Sequence, residues 1–317
     1  GRINRTYSLS VTKPFYTPEG ISLGYDIYRR DVNTSSLNLV TYNTSSFGAG
    51  VRFTIPLSEK NSMSYGLTLD NTEVSKLELN RSPTRYINYC SSVTNTANST
   101  GCTMNSLTAS IGWAIDSRDD ILFPKKGELR RANAEVSAPG LDIQIYKVTL
   151  QESWYKDITK DLTVMLNGQL GYANSYGGKE FPFFKNFYLG GVNTVRGYRQ
   201  GSIGPVCVQG DASCGLSTST TNMFVGGNKQ ILANAELFMP VPFLKNNNQF
   251  RLSAFIDAGN VYAYEESVNL STLRYSAGMG VMWVSPFGPL KILYAMPFNN
   301  QSTDRTESFQ FQMGQQF

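Results

Sequence analysis

Apolar and small polar residues alternate one for one through much of this chain, in segments too short for globular helices and separated by polar connections. Tyr7, Leu9 and Val11 alternate with Ser8, Ser10 and Thr12, and Ile21, Leu23, Tyr25 and Ile27 alternate with Ser22, Gly24 and Asp26. A period of two sends successive side chains to opposite faces of a strand, so the two faces of these segments meet different surroundings. Further segments start near Phe47, Met63, Leu107, Arg130, Tyr146, Leu162, Ile231, Phe250, Leu273, Leu290 and Ser308. Together they make about thirteen strands of a length suited to membrane barrels.

Apolar residues are 41% of the chain, yet no run approaches the ~18 residues needed to cross a bilayer as a helix. A chain that crosses without such a run must do so as a closed barrel, because backbone polar groups inside lipid have to be paired. Composition alone fits a large soluble β-protein equally well. The connections separate the two. Those at Thr17-Pro18-Glu19-Gly20, Leu57 to Asn61, Asp116 to Gly127 and Asp157 to Asp161 are tight, whereas several between them are long and polar. Short turns on one side and long loops on the other are the arrangement of outer-membrane barrels, turns periplasmic and loops extracellular. Residues 70–106 and 173–229 then become extracellular loops, with Ala138 to Asp142 a short exception on that side.

Face by face, the segment from Leu129 to Ala138 places Arg130, Ala132, Ala134, Val136 and Ala138 outward and Arg131, Asn133, Glu135 and Ser137 inward. A charge on the lipid face at mid-bilayer costs about 2–4 kcal/mol, so Arg130 belongs near an interface. Trp113, Trp154 and Trp283 fall near segment ends, either as an aromatic girdle or as ordinary packing residues.

Charge and rare residues exclude several chemistries. With 28 basic against 24 acidic residues the formal charge is +4, too balanced for a nucleic-acid partner. The absence of His removes Ser-His-Asp and Cys-His catalysis and the common zinc sites. No Gly-rich phosphate cradle stands between a strand and a helix. The chain is therefore expected to act without catalytic residues, cofactor or metal. Four Cys fall as two close pairs in polar stretches, Cys90 with Cys102 and Cys207 with Cys214. They fit loop staples formed in an oxidising compartment; four free thiols are the alternative. No secretory signal is visible at Gly1, and a mature or trimmed chain is expected.

The longest stretch without strand periodicity holds KEFPFFKNFYLGGVNTVRGYRQGSIGP, residues 179–205, with Val195-Arg196-Gly197-Tyr198 behind Gly190-Gly191. After it come Gly226-Gly227-Asn228, ILANAELFMPVPF from Ile231 to Phe243, Phe255-Ile256-Asp257-Ala258-Gly259-Asn260, Ser285-Pro286-Phe287-Gly288-Pro289-Leu290, Tyr294-Ala295-Met296-Pro297-Phe298, and an aromatic C-terminus at Phe317. In this order, over the whole chain, these motifs resemble the C-terminal barrel of the BamA family of outer-membrane protein assembly factors.

That resemblance implies a single all-β antiparallel transmembrane β-barrel over residues 1–317, whose loop 173–229 folds into the lumen. The tip residues Val195, Arg196, Gly197 and Tyr198 would then meet the lumen wall, with Arg196 against Glu236 and Asp257. Both carboxylates lie on the inward phase of their strands, and Gly197 allows a close backbone approach. The last strand carries Phe309, Phe311, Met313 and Phe317 on one face, and Gly314 is expected to weaken and bend it beside the seam. In the family that seam is a lateral gate.

The implied function is insertion of β-barrel proteins into the bacterial outer membrane. The implied partners are nascent outer-membrane proteins, membrane lipids, and accessory lipoproteins acting mainly through periplasmic POTRA domains outside this chain. Rival readings are a related translocation and assembly factor, a two-partner secretion translocator, or a passive porin. Family barrels have sixteen strands. About thirteen here would leave the first three before Gly1, and Tyr7 to Phe15 would then show an unpaired edge and no parallel ladder with Ser308 to Phe317.

Overall fold

The structure, a computed structural model, describes residues 4–34, 42–79, 81–121, 123–208, 210, 214, 222–241, 249–285 and 288–314. All of the expected strand segments form. The chain lays down β1 (Asn4–Lys13), β2 (Ser22–Asn33), β3 (Asn43–Ser58), β4 (Asn61–Ser75), β5 (Cys102–Asp116), β6 (Gly127–Ser137), β7 (Ile145–Asp157) and β8 (Thr163–Ser175). After a long connection holding the two-residue strands β9 (Val206–Cys207) and β10 (Met223–Phe224), it continues with β11 (Lys229–Met239), β12 (Phe250–Tyr262), β13 (Arg274–Ser285), β14 (Gly288–Phe298) and β15 (Phe309–Met313).

Thirteen of these strands make one antiparallel sheet in chain order, with β8 paired directly to β11 and the β9–β10 ladder standing apart in the loop. The sheet runs from β1 to β15, and among the described residues no ladder joins the two. The edge of β1 is therefore unpaired, as expected, and the parallel seam is absent. At the other edge β15 meets β14 over only five residue pairs, Leu290 to Tyr294 against Phe309 to Met313.

The lipid-facing surface is read directly from exposure. Leu9, Ile27, Leu67, Ile111, Leu150, Leu170, Ile256, Met279 and Ile292 are large, apolar and exposed, and all take the outward phase of their strands. In a water-soluble protein such a continuous apolar face would be an aggregation surface; on a sheet it is the band that meets acyl chains. Inward positions carry small and polar groups: Arg52 pairs with Asp26 at 3.0 Å, and Asn167 donates to Asn234 at 2.8 Å.

Arg130 faces outward three residues into β6 and is held by Glu128 and Glu152, which keeps its charge near the turn end of the wall. Trp113, Trp154 and Trp283 all sit two or three residues from that same end of β5, β7 and β13 and are each more than a third exposed, which fits a girdle at one interface.

Two boundaries differ from expectation. The loop expected at 70–106 occupies 76–101, because the β4–β5 ladder runs on to Val74 opposite Cys102. The loop expected at 173–229 occupies 176–228, since Ala173 to Ser175 still pair with β7 and Lys229 pairs with Tyr172. Cys102 is thus a strand residue. Loop 76–101 also contains a helix, α1 (Thr84–Thr94), that strand periodicity could not reveal.

Buried apolar residues gather inside the barrel and above it. One cluster packs α1, Tyr42, Val74, Ile143, Ile145, Phe183 and Val225 into a dome over the extracellular mouth. A second packs Phe187, Leu189, Val195, Tyr198, Ile203, Leu232 and Val261, joining the lumen loop to β11 and β12. At the opposite mouth Arg251 of β12 donates to the carbonyl of Pro124 in the β5–β6 turn and lies over Phe238, tying that turn to a strand remote from it in the sheet.

The face assignment has a direct test. Leu67→Arg on the outward face of mid-β4 is expected to destabilise the barrel by about 2–4 kcal/mol, and Thr68→Arg on the inward face by much less. Denaturant unfolding in lipid vesicles measures both, and equal losses would contradict the assignment.

Candidate functional site

Loop 176–228 enters the lumen and turns at the sequence Val195-Arg196-Gly197-Tyr198. Val195 and Tyr198 are fully buried in the apolar cluster against β11 and β12, which anchors the turn on both sides of Arg196. Arg196 is only 7% exposed. Its Nε and Nη2 donate to the two carboxylate oxygens of Asp257 at 2.8 and 2.7 Å, and its backbone N–H adds a third bond at 3.0 Å. Nη1 donates to Glu236 at 2.8 Å. The guanidinium lies 3.5 Å from the ring centroid of Phe255, so its flat face is covered while its edge is bonded.

Asp257 has no exposed surface and accepts a further bond from Asn234 Nδ2, at 2.8 Å. The same amide also donates to the carbonyl of Thr194, at 2.8 Å. The carboxylate thus has partners on both oxygens, the condition under which a buried charge is tolerable. Asn234 and Glu236 are two apart on β11, and Phe255 and Asp257 two apart on β12, so each pair projects inward from a single strand.

Gly197 takes φ +84°, and a Cβ there would lie 3.1 Å from the Cβ of Ala295. Glycine is required both by the backbone conformation and by the close approach to β14. Beyond it, Tyr198 Oη reaches the carbonyls of Tyr275 and Phe298, each at 3.2 Å. Gln310 of β15 accepts from the Gly197 N–H at 3.0 Å and donates to the Tyr198 carbonyl at 2.8 Å. Alongside, the Arg199 N–H donates to the Arg305 carbonyl and the Glu307 N–H to the Gly197 carbonyl. A second buried ion pair, Arg274 with Asp304, fixes the connection into this segment.

The structure brings together every expected tip and wall residue: Val195, Arg196, Gly197, Tyr198, Glu236 and Asp257. Phe309, Phe311 and Met313 share the outward face of β15 and are exposed there. Gly314, expected to bend the strand, lies just past its end. With φ +84° it follows the last strand residue, Met313, and its N–H donates to the Pro289 carbonyl. Phe317 lies outside the described residues, as do Pro242, Phe243, Pro286 and Phe287 of the expected motifs. Sequence reasoning missed Asn234, Phe255 and Gln310 as members of the site. Inward phase was the available signal for Asn234 and Phe255, which lie two positions from Glu236 and Asp257, and alternation with Phe309 and Phe311 was the signal for Gln310.

Above the tip, both disulfides form as expected, Cys90 with Cys102 and Cys207 with Cys214. The first ties α1 to β5. The second is joined to α1 by the Thr84 N–H, which donates to the Cys214 carbonyl at 2.9 Å. Tyr86 stacks on Phe183 with centroids 3.8 Å apart, and burial raises the pKa of its phenol, so the dome stays uncharged there.

A membrane-type barrel with a loop locked inside its lumen defines a class of outer-membrane protein in which wall, plug and seam are one chain. The sequence matches the Omp85 superfamily domain across residues 1–317, and the chain belongs to that superfamily. It is 35% identical to the outer membrane protein assembly factor BamA of Neisseria meningitidis serogroup B over 98% of its own length and 41% of the relative's. It is 29% identical to the sorting and assembly machinery component 50 homolog of Xenopus tropicalis over 64% of this chain and 44% of that one. The chain thus spans less than half the length of these relatives. Among solved structures, BamA from Haemophilus ducreyi lacking POTRA domains 1–3 superposes with a TM-score of 0.86 at 29% identity, over 98% of this chain and 61% of that one. CdiB from Acinetobacter baumannii, at 13% identity and a TM-score of 0.53, shares the fold alone.

The paired cysteines generate a test. Non-reducing peptide mapping is expected to find the 90–102 and 207–214 links only, and Cys90→Ser with Cys102→Ser to lower dome stability by about 2–3 kcal/mol, the scale for so short a closed loop. Crossed links or free thiols would contradict the assignment.

Proposed function

We propose that this chain is the barrel of an outer-membrane insertase, which folds β-barrel clients into the bacterial outer membrane at its seam. The observation that carries the reading is the lock of Arg196 on Asp257 and Glu236, with the next two residues, Gly197 and Tyr198, bonded to Gln310 of the last strand, β15. An unpaired edge offers N–H and C=O groups to an incoming strand, so a client can satisfy its backbone before it enters lipid. The action requires no covalent step. What is lowered is the cost of bringing unpaired backbone into an apolar medium.

Nascent outer-membrane β-barrel proteins are the proposed clients, and the surrounding lipids the second partner. Accessory lipoproteins would act mainly through POTRA domains, which lie outside this chain. A passive porin is disfavoured by the buried loop, whose apolar cluster and ion pairs occupy the lumen where a solute would pass.

Arg196→Ala in the full-length parent is expected to reduce client insertion into liposomes by about tenfold while leaving the barrel folded, because the mutation strips the buried Asp257 carboxylate of two side-chain bonds and Glu236 of one without touching a strand ladder. Asp257→Lys should be at least as harmful, since it sets two cations together. Unimpaired insertion by Arg196→Ala would overturn the role given to the lock.

A further inference from the structure

Among the strands of the large sheet, β15 is the least supported by its neighbour. It has five pairs with β14 among the described residues. Its N-terminal approach, Arg305 to Gln310, is held from inside the barrel instead. The backbone of residues 197–199 lies antiparallel to 305–307: Arg199 N–H to the Arg305 carbonyl at 2.9 Å, a bridge between Tyr198 and Thr306, and Glu307 N–H to the Gly197 carbonyl at 2.8 Å. Ser202 Oγ adds a bond to the Arg305 carbonyl at 3.0 Å.

Gln310 closes this arrangement. It is the first inward-facing residue of β15, it is 4% exposed, and its amide fits the loop tip with both ends, Oε1 accepting from Gly197 N–H and Nε2 donating to the Tyr198 carbonyl. Its two loop partners are therefore the residues directly following Arg196. Gln312, two positions on and on the same face, makes no comparable bond, and its buried Oε1 has no partner.

We propose that Gln310 is the positioning residue through which the lumen loop holds the seam strand, so that disengagement of the loop and release of β15 are one event. The inference rests on the insertase reading for its purpose, but the coupling itself is a property of the fold. Arg196 fixes the tip to β11 and β12, and Gln310 passes that fixed position on to β15. The loop thereby decides whether the seam strand stands in register with β14.

Hydrogen–deuterium exchange on the full-length parent in lipid nanodiscs tests it without any client. Gln310→Ala is expected to raise exchange in peptides covering 305–313 about tenfold or more, the scale for losing two buried hydrogen bonds in a strand held by few others. Gln312→Ala, matched in strand, face and size, should leave the 197–199 peptides as they are. Gln310→Glu keeps the acceptor for Gly197 and loses the donor to Tyr198, so an intermediate rise is expected from a side chain of the same shape. Arg196→Ala should raise exchange at 305–313 as well, because it frees the tip.

Unchanged exchange at 305–313 in both Gln310 variants would overturn the proposal, and so would an equal rise in Gln312→Ala, which would mark general fraying of the strand. Client insertion by the same proteins is a separate readout. If the unaltered parent inserts no client while Gln310→Ala still loosens β15, the insertase reading fails and the coupling stands.

Discussion

Backbone pairing in a medium without water governs this molecule. Every N–H and C=O within the lipid must find a partner in the chain, since each one left unpaired costs several kcal/mol. Antiparallel ladders meet the demand wall by wall, and most of the ladders between β1 and β8 run to roughly the full length of their strands. At β15 the ladder among the described residues shortens to five pairs, and just before it the loop backbone at 197–199 bonds to residues 305–307. Plug and seam are therefore linked by the same physics that builds the wall.

The usual geography of a protein is inverted here, and the energetics of the lumen follow from that. Many large apolar side chains that would form a core in water face outward, and the wall around the loop tip presents polar and charged groups beside a small apolar cluster. Burying Arg196, Asp257 and Glu236 together carries a large desolvation penalty, which only a geometry of short, directed bonds offsets. Asp257 accepts from Arg196 three times and from Asn234 once, and Arg196 is capped by the Phe255 ring. Such a cluster contributes little net stability as a whole but is costly to break in part. That asymmetry suits a latch better than a foundation.

Much of the wall was legible in the sequence because lipid and lumen impose a strict period of two, and that period is visible in stretches such as Tyr7 to Thr12. The Arg196 lock was legible through its motif and through the inward phase of Glu236 and Asp257. Less could be read where contacts come from distant segments. The helix α1, TRYINYCSSVT, has no side-chain N-cap and few strong helix formers, and it is stabilised by packing Tyr86, Ile87, Tyr89 and Cys90 into the dome. The ends of β4 and β5 ran further than their hydrophobic pattern, because Val74 and Cys102 belong to the dome cluster and no longer alternate against lipid. Gln310 was passed over because an inward Gln in a barrel strand is ordinary. Only the fold shows that its amide meets the loop tip with both ends, accepting from Gly197 and donating to Tyr198.

Dome and lock hold the same loop by different means, and the difference decides which part can move. The crown of the loop is tied covalently through Cys207 and Cys214, and by hydrogen bonds and aromatic packing to α1, which is itself linked to β5 through Cys90 and Cys102. Its tip is held by hydrogen bonds, ion pairs and a small apolar cluster. Water entering the lumen would compete for every polar bond at the tip, yet it offers nothing in exchange for a disulfide or a buried ring stack. Loss of the tip contacts would therefore leave the disulfide-tied extracellular cover in place.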